Sequence, residues 1–204
     1  MNIKKVLKWL WDEEHWAAWW INVLIAFIVI KFIVYPGMAA LTGSSFPVVA
    51  VVSESMEHDV QYGEICGYDM ESFPASFDTY WDVCGDWYED NGISKNHFES
   101  FPLSDGFNKG DIIVLARADN VQVGDVLVFW SHHGLPIIHR VVDTSDGYTT
   151  KGDHNAQSFG PPLGEINIEQ ERVIGKAVAR VPYLGYIKIV VTDILVAIGV
   201  LAPY

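Results

Sequence analysis

Three short stretches of this 204-residue chain carry side chains that could act together on a carbonyl group: Ser53-Glu54-Ser55-Met56, the lone His139 inside the apolar run IIHRVV, and Lys151-Gly152-Asp153-His154-Asn155. A serine hydroxyl attacks only when a base removes its proton. A neutral imidazole is such a base, and a carboxylate on its far ring nitrogen holds the tautomer that the base needs. One serine, one histidine and one aspartate therefore make a nucleophile, a base and an orienter, assigned to Ser55, His139 and Asp153. Taken singly, each has a plainer explanation. Ser-x-Ser-Met is a polar turn after a strand, His139 a hydrogen-bonded core histidine, and Asp153 a turn-capping carboxylate beside Gly152. The histidines offer a second chemistry, because His132, His133, His139 and His154 on neighbouring strands could converge on zinc or copper. Their spacing matches no closed metal site and leaves the serine pair unexplained, so neither a metal nor another cofactor is expected.

Such a set needs a rigid frame, and short β-branched runs bounded by Gly, Asp and Ser supply one. They are Phe46 to Val52, Asp111 to Leu115, Asp125 to Trp130, Pro136 to Val142, Tyr148 to Lys151 and Arg172 to Arg180, with Ser145-Asp146-Gly147 reading as a hairpin turn. Gly-Asp opens a strand twice, at Gly110 and Gly124, which is turn chemistry. Residues 57–109 break the pattern with 12 acidic against 2 basic residues and aromatics at loosely helical spacing, predicting an acidic helical insertion between two strands. The acids could attract cationic substrate segments or keep an exposed helical pair soluble. Both cysteines, Cys66 and Cys84, lie inside the insertion, and on the outer face of a membrane they would form a disulfide.

The two ends are apolar. Trp16 to Tyr35 is 20 residues with one charge, enough at about 1.5 Å per residue to cross a hydrocarbon core of about 30 Å. It is longer than the apolar region of a removable signal peptide and starts and ends in aromatics, so a membrane helix is expected rather than a removed signal peptide. Lys4, Lys5 and Lys8 precede it and no basic residue follows until Lys95, apart from Lys31 within the span, which places the N-terminus in the cytoplasm and the remainder outside. Tyr186 to Ala202 is shorter and carries Lys188 and Asp193, consistent with a return helix or one lying on the bilayer surface. The resulting organisation is a cytoplasmic tail (1–15), a transmembrane helix (16–35), an extracytoplasmic β-rich domain (36–182) and a C-terminal apolar helix (183–204). A net charge of −13 with only 13 Lys and Arg argues against nucleic acid as a partner.

Ser-x-Ser-Met beyond a single apolar span, a strand pair led by Gly-Asp, an apolar strand bearing His-Arg-Val, and Lys-Gly-Asp-x-Asn together resemble the type I signal peptidases, membrane enzymes that remove signal peptides from exported proteins. The resemblance covers residues 48–56 and 110–176. Bacterial members use a lysine base at the position of His139, so the similarity is to the archaeal and endoplasmic-reticulum branch. It implies a mainly β, signal peptidase I-like catalytic domain in which Ser55 is the nucleophile and His139 the base. Ser53 would join the Ser55 backbone N–H around the oxyanion, with Met56 beside the substrate. The implied partners are a lipid bilayer, the signal peptides of preproteins cut after small residues, and additional membrane subunits. Two positions depart from the family: His58 stands where a proline is common, and Phe159 where a second aspartate is often the triad acid. The orienting group is then Asp153, Glu165 or another acid, or is absent in a Ser–His dyad. Asp153 is preferred, because the Ser145–Gly147 hairpin returns Lys151 and its neighbours beside His139, whereas Glu165 follows Gly160-Pro161-Pro162. The rival function is a non-catalytic membrane-anchored β-domain that binds preproteins.

Overall fold

The computed structural model describes residues 16–73 and 76–197, and the chain divides at Gly43 into two compact units, each considered by itself. The expected tail (1–15) and the end of the C-terminal apolar run (198–204) lie outside the described residues. In the first unit, α1 (Trp16–Val29) passes through a π-helical turn, Ile30–Val34, into α2 (Tyr35–Thr42). The helix thus runs seven residues past the expected end at Tyr35, through Pro36. Proline has no N–H to continue an α-helical ladder, and the wide turn before it already shifts the bonding, with the Tyr35 N–H reaching the Ile30 carbonyl. Gly43 ends the helix in the left-handed conformation, φ +67°, with its N–H on the Ala39 carbonyl at 2.9 Å. Ala18–Thr42 is a helix long and apolar enough to cross a membrane.

The second unit is built on a six-stranded antiparallel sheet. Its strands are β1 (Val48–Ala50), β4 (Ile112–Ala116), β5 (Val126–Trp130), β6 (Pro136–Asp143), β7 (Thr149–Lys151) and β8 (Val173–Val181), in the order β1-β4-β8-β5-β6-β7. All six predicted runs form strands, and the Ser145–Gly147 turn joins β6 to β7. Residues 57–109 differ from the expectation in their first half. Val60–Ile65 (β2) and Tyr68–Phe73 (β3) pair as a hairpin before the helices α3 (Phe77–Asp90) and α4 (Lys95–Glu99). Cys66 and Gly67, at φ +53° and +87°, form the two-residue turn that suits such a hairpin. The acidic count over the segment obscured this local signal. Ser76 caps α3 by accepting the Thr79 N–H.

Tyr80, Trp81, Cys84 and Tyr88 recur along one face of α3 and are buried with Phe98, Phe101 and Val142 of β6, so the insertion packs on the sheet instead of standing apart from it. The Cys66–Cys84 disulfide ties the hairpin turn to the helix. Two further clusters cover the sheet. Met56, Val126 and Val128 belong to one, and Leu127, Phe129, Val141 and Ile168 to the other. After β8 the chain enters α5 (Tyr186–Ala197), and the Tyr183 N–H donates to Asp111 Oδ1 at 3.1 Å.

Candidate active site

β6 is buried on both faces, and the alternation of side chains along it sends His139 and Arg140 to opposite sides. His139 lies opposite Leu127 on β5, while Arg140 lies opposite Val126 on β5 and Lys151 on β7. On the Leu127 face, His139 Nε2 is 2.9 Å from Ser55 Oγ and its Nδ1 is hydrogen-bonded to Glu165 Oε1. His139 is 4 % exposed and Glu165 fully buried, while Ser55 is partly open and Ser53 exposed. A carboxylate can only accept, so the proton of a neutral imidazole sits on Nδ1 and leaves Nε2 free to take one from the serine. Ser53 Oγ is 3.2 Å from Ser55 Oγ.

The expectation that Asp153 orients His139 is not met. Two residues beyond Lys151, Asp153 falls on the Arg140 side. There its carboxylate accepts from Arg140 Nε at 2.9 Å and Nη2 at 2.7 Å, from His58 Nε2 at 3.0 Å and from the Tyr88 hydroxyl at 3.1 Å. The hairpin does return Lys151 to β6, but one register step away from the histidine. Burial pushes the Asp153 carboxyl up, and Arg140 and His58 together outweigh it, holding it well below the usual carboxylate range. Arg140 is also buried, which lowers its pKa, and Asp153 more than compensates. Its guanidinium lies 4.8 Å from the Phe98 ring centroid and donates to the carbonyls of Pro102, Leu103 and Gly124.

Glu165 reaches His139 because residues 159–165 close on themselves. The Glu165 N–H donates to the Phe159 carbonyl at 2.9 Å, the Gly164 N–H to Gly160 at 3.0 Å, and the Phe159 N–H to Glu165 Oε2 at 2.8 Å. Thr150 on β7 then donates to the Glu165 carbonyl at 2.9 Å. The Gly-Pro-Pro segment is thus a turn that brings its far end back to Phe159, the position singled out above as a departure from the family pattern. A glycine at both ends of Gly-Pro-Pro-Leu-Gly was the available signal.

Met56, expected beside the substrate, is 1 % exposed, and its Sδ accepts the Asp153 N–H at 3.4 Å. It is core, and the adjacent residues Ser55 and Met56 serve opposite sides of the same loop. His58, at the family's proline position, stacks on Tyr80 with ring centroids 3.7 Å apart. The four histidines do not gather: His139 is committed to Ser55 and Glu165, and His154 Nδ1 to the Glu57 carbonyl at 3.0 Å. Among the described residues no three His, Cys, Asp or Glu side chains are grouped to hold a metal ion.

No protein-family model matches the chain. It is similar to the proteins named signal peptidase complex catalytic subunit SEC11C in human and in mouse. Each is 26 % identical over 171 residues, covering 78 % of this chain and 65 % of the relative. A protein of Pyrenophora tritici-repentis, named signal peptidase complex catalytic subunit sec11, is 31 % identical over 103 residues, covering 45 % of this chain and 59 % of its own. This chain thus spans just under two thirds of the length of the mammalian relatives it matches. The resemblance carried by Ser-x-Ser-Met, His-Arg-Val and Lys-Gly-Asp and the names of these relatives agree: the chain is similar to the catalytic subunits of signal peptidases.

Proposed function

We propose that the chain is a membrane-anchored serine endopeptidase that removes N-terminal signal peptides from exported preproteins, cutting after small residues. The observation that carries this is the arrangement around His139, with Ser55 Oγ on one ring nitrogen and Glu165 on the other. In this mechanism His139 Nε2 takes the Ser55 proton as Oγ attacks the scissile carbonyl carbon. The imidazolium that forms is stabilised by Glu165. The negative oxygen of the tetrahedral intermediate is held by the Ser55 backbone N–H and the Ser53 hydroxyl. Collapse breaks the peptide C–N bond, His139 gives its proton to the leaving amine, and the signal peptide remains as an ester on Ser55. Water, deprotonated in turn by His139, then attacks the ester; His139 returns that proton to Ser55 Oγ, and the signal peptide leaves with a free carboxylate. The apolar span 16–35 would anchor the enzyme in the bilayer with its catalytic domain on the outer face, and the relatives' naming as complex subunits supports additional membrane subunits as partners.

Ser55→Ala removes the nucleophile and leaves the Glu165–His139 pair in place. Cleavage of a labelled preprotein by the purified variant should fall by about 10⁴-fold or more, with the melting temperature unchanged. Residual cleavage near the wild-type rate would sink the peptidase function, and a variant that binds preproteins while the wild type cuts none would favour the binding domain instead.

A further inference from the structure

The proposed chemistry makes no use of the acidic insertion, yet the buried groups of residues 57–109 converge on two residues next to the nucleophile. From α3, the Tyr88 hydroxyl donates to Asp153 Oδ1 at 3.1 Å and the Tyr80 hydroxyl to the Asp153 carbonyl at 2.9 Å. His58, stacked on Tyr80, donates to Asp153 Oδ2 at 3.0 Å, and the Cys66 N–H, at the hairpin turn, to the His154 carbonyl at 2.8 Å. Asp153 and His154 in turn hold the serine loop. The His154 N–H donates to the Ser55 carbonyl at 3.0 Å and the Asp153 N–H to Met56 Sδ at 3.4 Å. Burial, reinforced by the Asp153 charge, pushes both tyrosines well above their ordinary pKa, so they stay protonated and remain donors.

We infer that Tyr88, supported by Tyr80, is a positioning residue for Ser55: its hydroxyl fixes the Asp153–His154 segment from which the Ser55 carbonyl hangs, so the insertion sets the reach of Ser55 Oγ to His139. The kinetic part of this inference rests on the peptidase function proposed above; the structural part does not. A reacting group misplaced by about 1 Å can lose on the order of 10²-fold in rate, so a hydroxyl that never touches substrate can matter to kcat.

Tyr88→Phe deletes one oxygen and keeps the ring that packs against Trp81 and Phe98. The full chain in detergent would be compared with wild type by amide hydrogen exchange over residues 53–57 and 152–156, and by kcat and KM on a preprotein, beside Ser55→Ala. The expected result is faster exchange in both segments, kcat lower by about tenfold, and KM within about twofold of wild type. If Tyr88→Phe yields too little folded protein, Tyr80→Phe is read in the same way. Wild-type exchange in both segments would overturn the inference whatever Ser55→Ala does. So would a lowered melting temperature with unchanged kcat per folded molecule. Faster exchange in those segments, together with undiminished cleavage by Ser55→Ala, would remove the peptidase function and leave the structural coupling standing.

Discussion

At the scale of single residues, two buried carboxylates have separate partners. Glu165 accepts from His139 and from the Phe159 N–H, using both oxygens, whereas Asp153 neutralises Arg140. Their amide variants should therefore fail differently. Glu165→Gln can present its N–H₂ to Nδ1 and favour the wrong imidazole tautomer, so the cleavage rate should drop by about 10⁴-fold while the fold persists. Asp153→Asn leaves the Arg140 guanidinium buried without its counter-charge, a loss of about 3 to 5 kcal/mol. Melting temperature and preprotein cleavage, measured on both variants, check this. A stable, inactive Asp153→Asn beside an active Glu165→Gln would reverse the assignment.

At the scale of elements, the site depends on one strand and one turn. β6 presents His139 to one face and Arg140 to the other, and β7 is paired so that Lys151 faces Arg140. Past β7 the backbone runs hard against the serine loop. A Cβ on Gly152 would sit 2.7 Å from the Ser55 carbonyl oxygen and 2.5 Å from Asn155 Nδ2, distances at which something must shift. The amide of Asn155 can swing away, but the Ser55 backbone can yield only by moving Ser55 itself. Gly152→Ala should accordingly lower kcat by at least tenfold and cost on the order of 1 to 3 kcal/mol of stability. Steady-state kinetics with a thermal melt tests it, and a wild-type kcat would show that the serine loop is not held this tightly. Gly106 is similarly constrained, at φ +67° and with its Cβ position 2.4 Å from the Met56 carbonyl.

At the scale of the whole catalytic unit, the insertion and the sheet share a buried layer of charge. Lys151 lies in it, its ammonium 3.1 Å from the Gly152 carbonyl and 4.6 Å from the Tyr88 ring centroid. Burial pushes its pKa down from 10.5 to about 8, against the attraction of Asp153 and Glu165. Between those two values the unfolded chain holds a proton that the folded chain has released, so the stability contributed by this group rises with pH across that window and is flat below it. The slope is on the order of 1 kcal/mol per pH unit. Lys151→Met removes that linkage. Wild-type stability measured by denaturant between pH 8 and 10 should therefore gain on the variant as pH rises, and parallel curves would show that Lys151 does not titrate there.

Much of this architecture is local and was legible in the sequence. The six β-branched runs, the Ser145–Gly147 hairpin and the apolar N-terminal helix follow from periodicity and turn chemistry, which neighbouring residues settle among themselves. The pairing of Ser55 with His139 could be expected from residue types and their order. Three features could not be. Whether Lys151 faces His139 or Arg140 is a matter of register, and one step exchanges the faces of every side chain, which is what puts Asp153 beside Arg140 instead of His139. That Glu165 stands at His139 depends on the closure of residues 159–165 through backbone bonds between Phe159 and Glu165, which composition does not encode. That the tyrosines of the acidic stretch reach Asp153 depends on packing across more than sixty residues of chain, while its opening hairpin carried a local turn signal that the acidic count obscured. Sequence determined the strands and the apolar helix, because those rest on short-range preference, and the residue types at Ser55 and His139 pointed to their contact. Tertiary structure alone decided which carboxylate meets His139 and what holds Ser55, because side chains distant in sequence become neighbours only when the sheet, the closed loop and the insertion pack together.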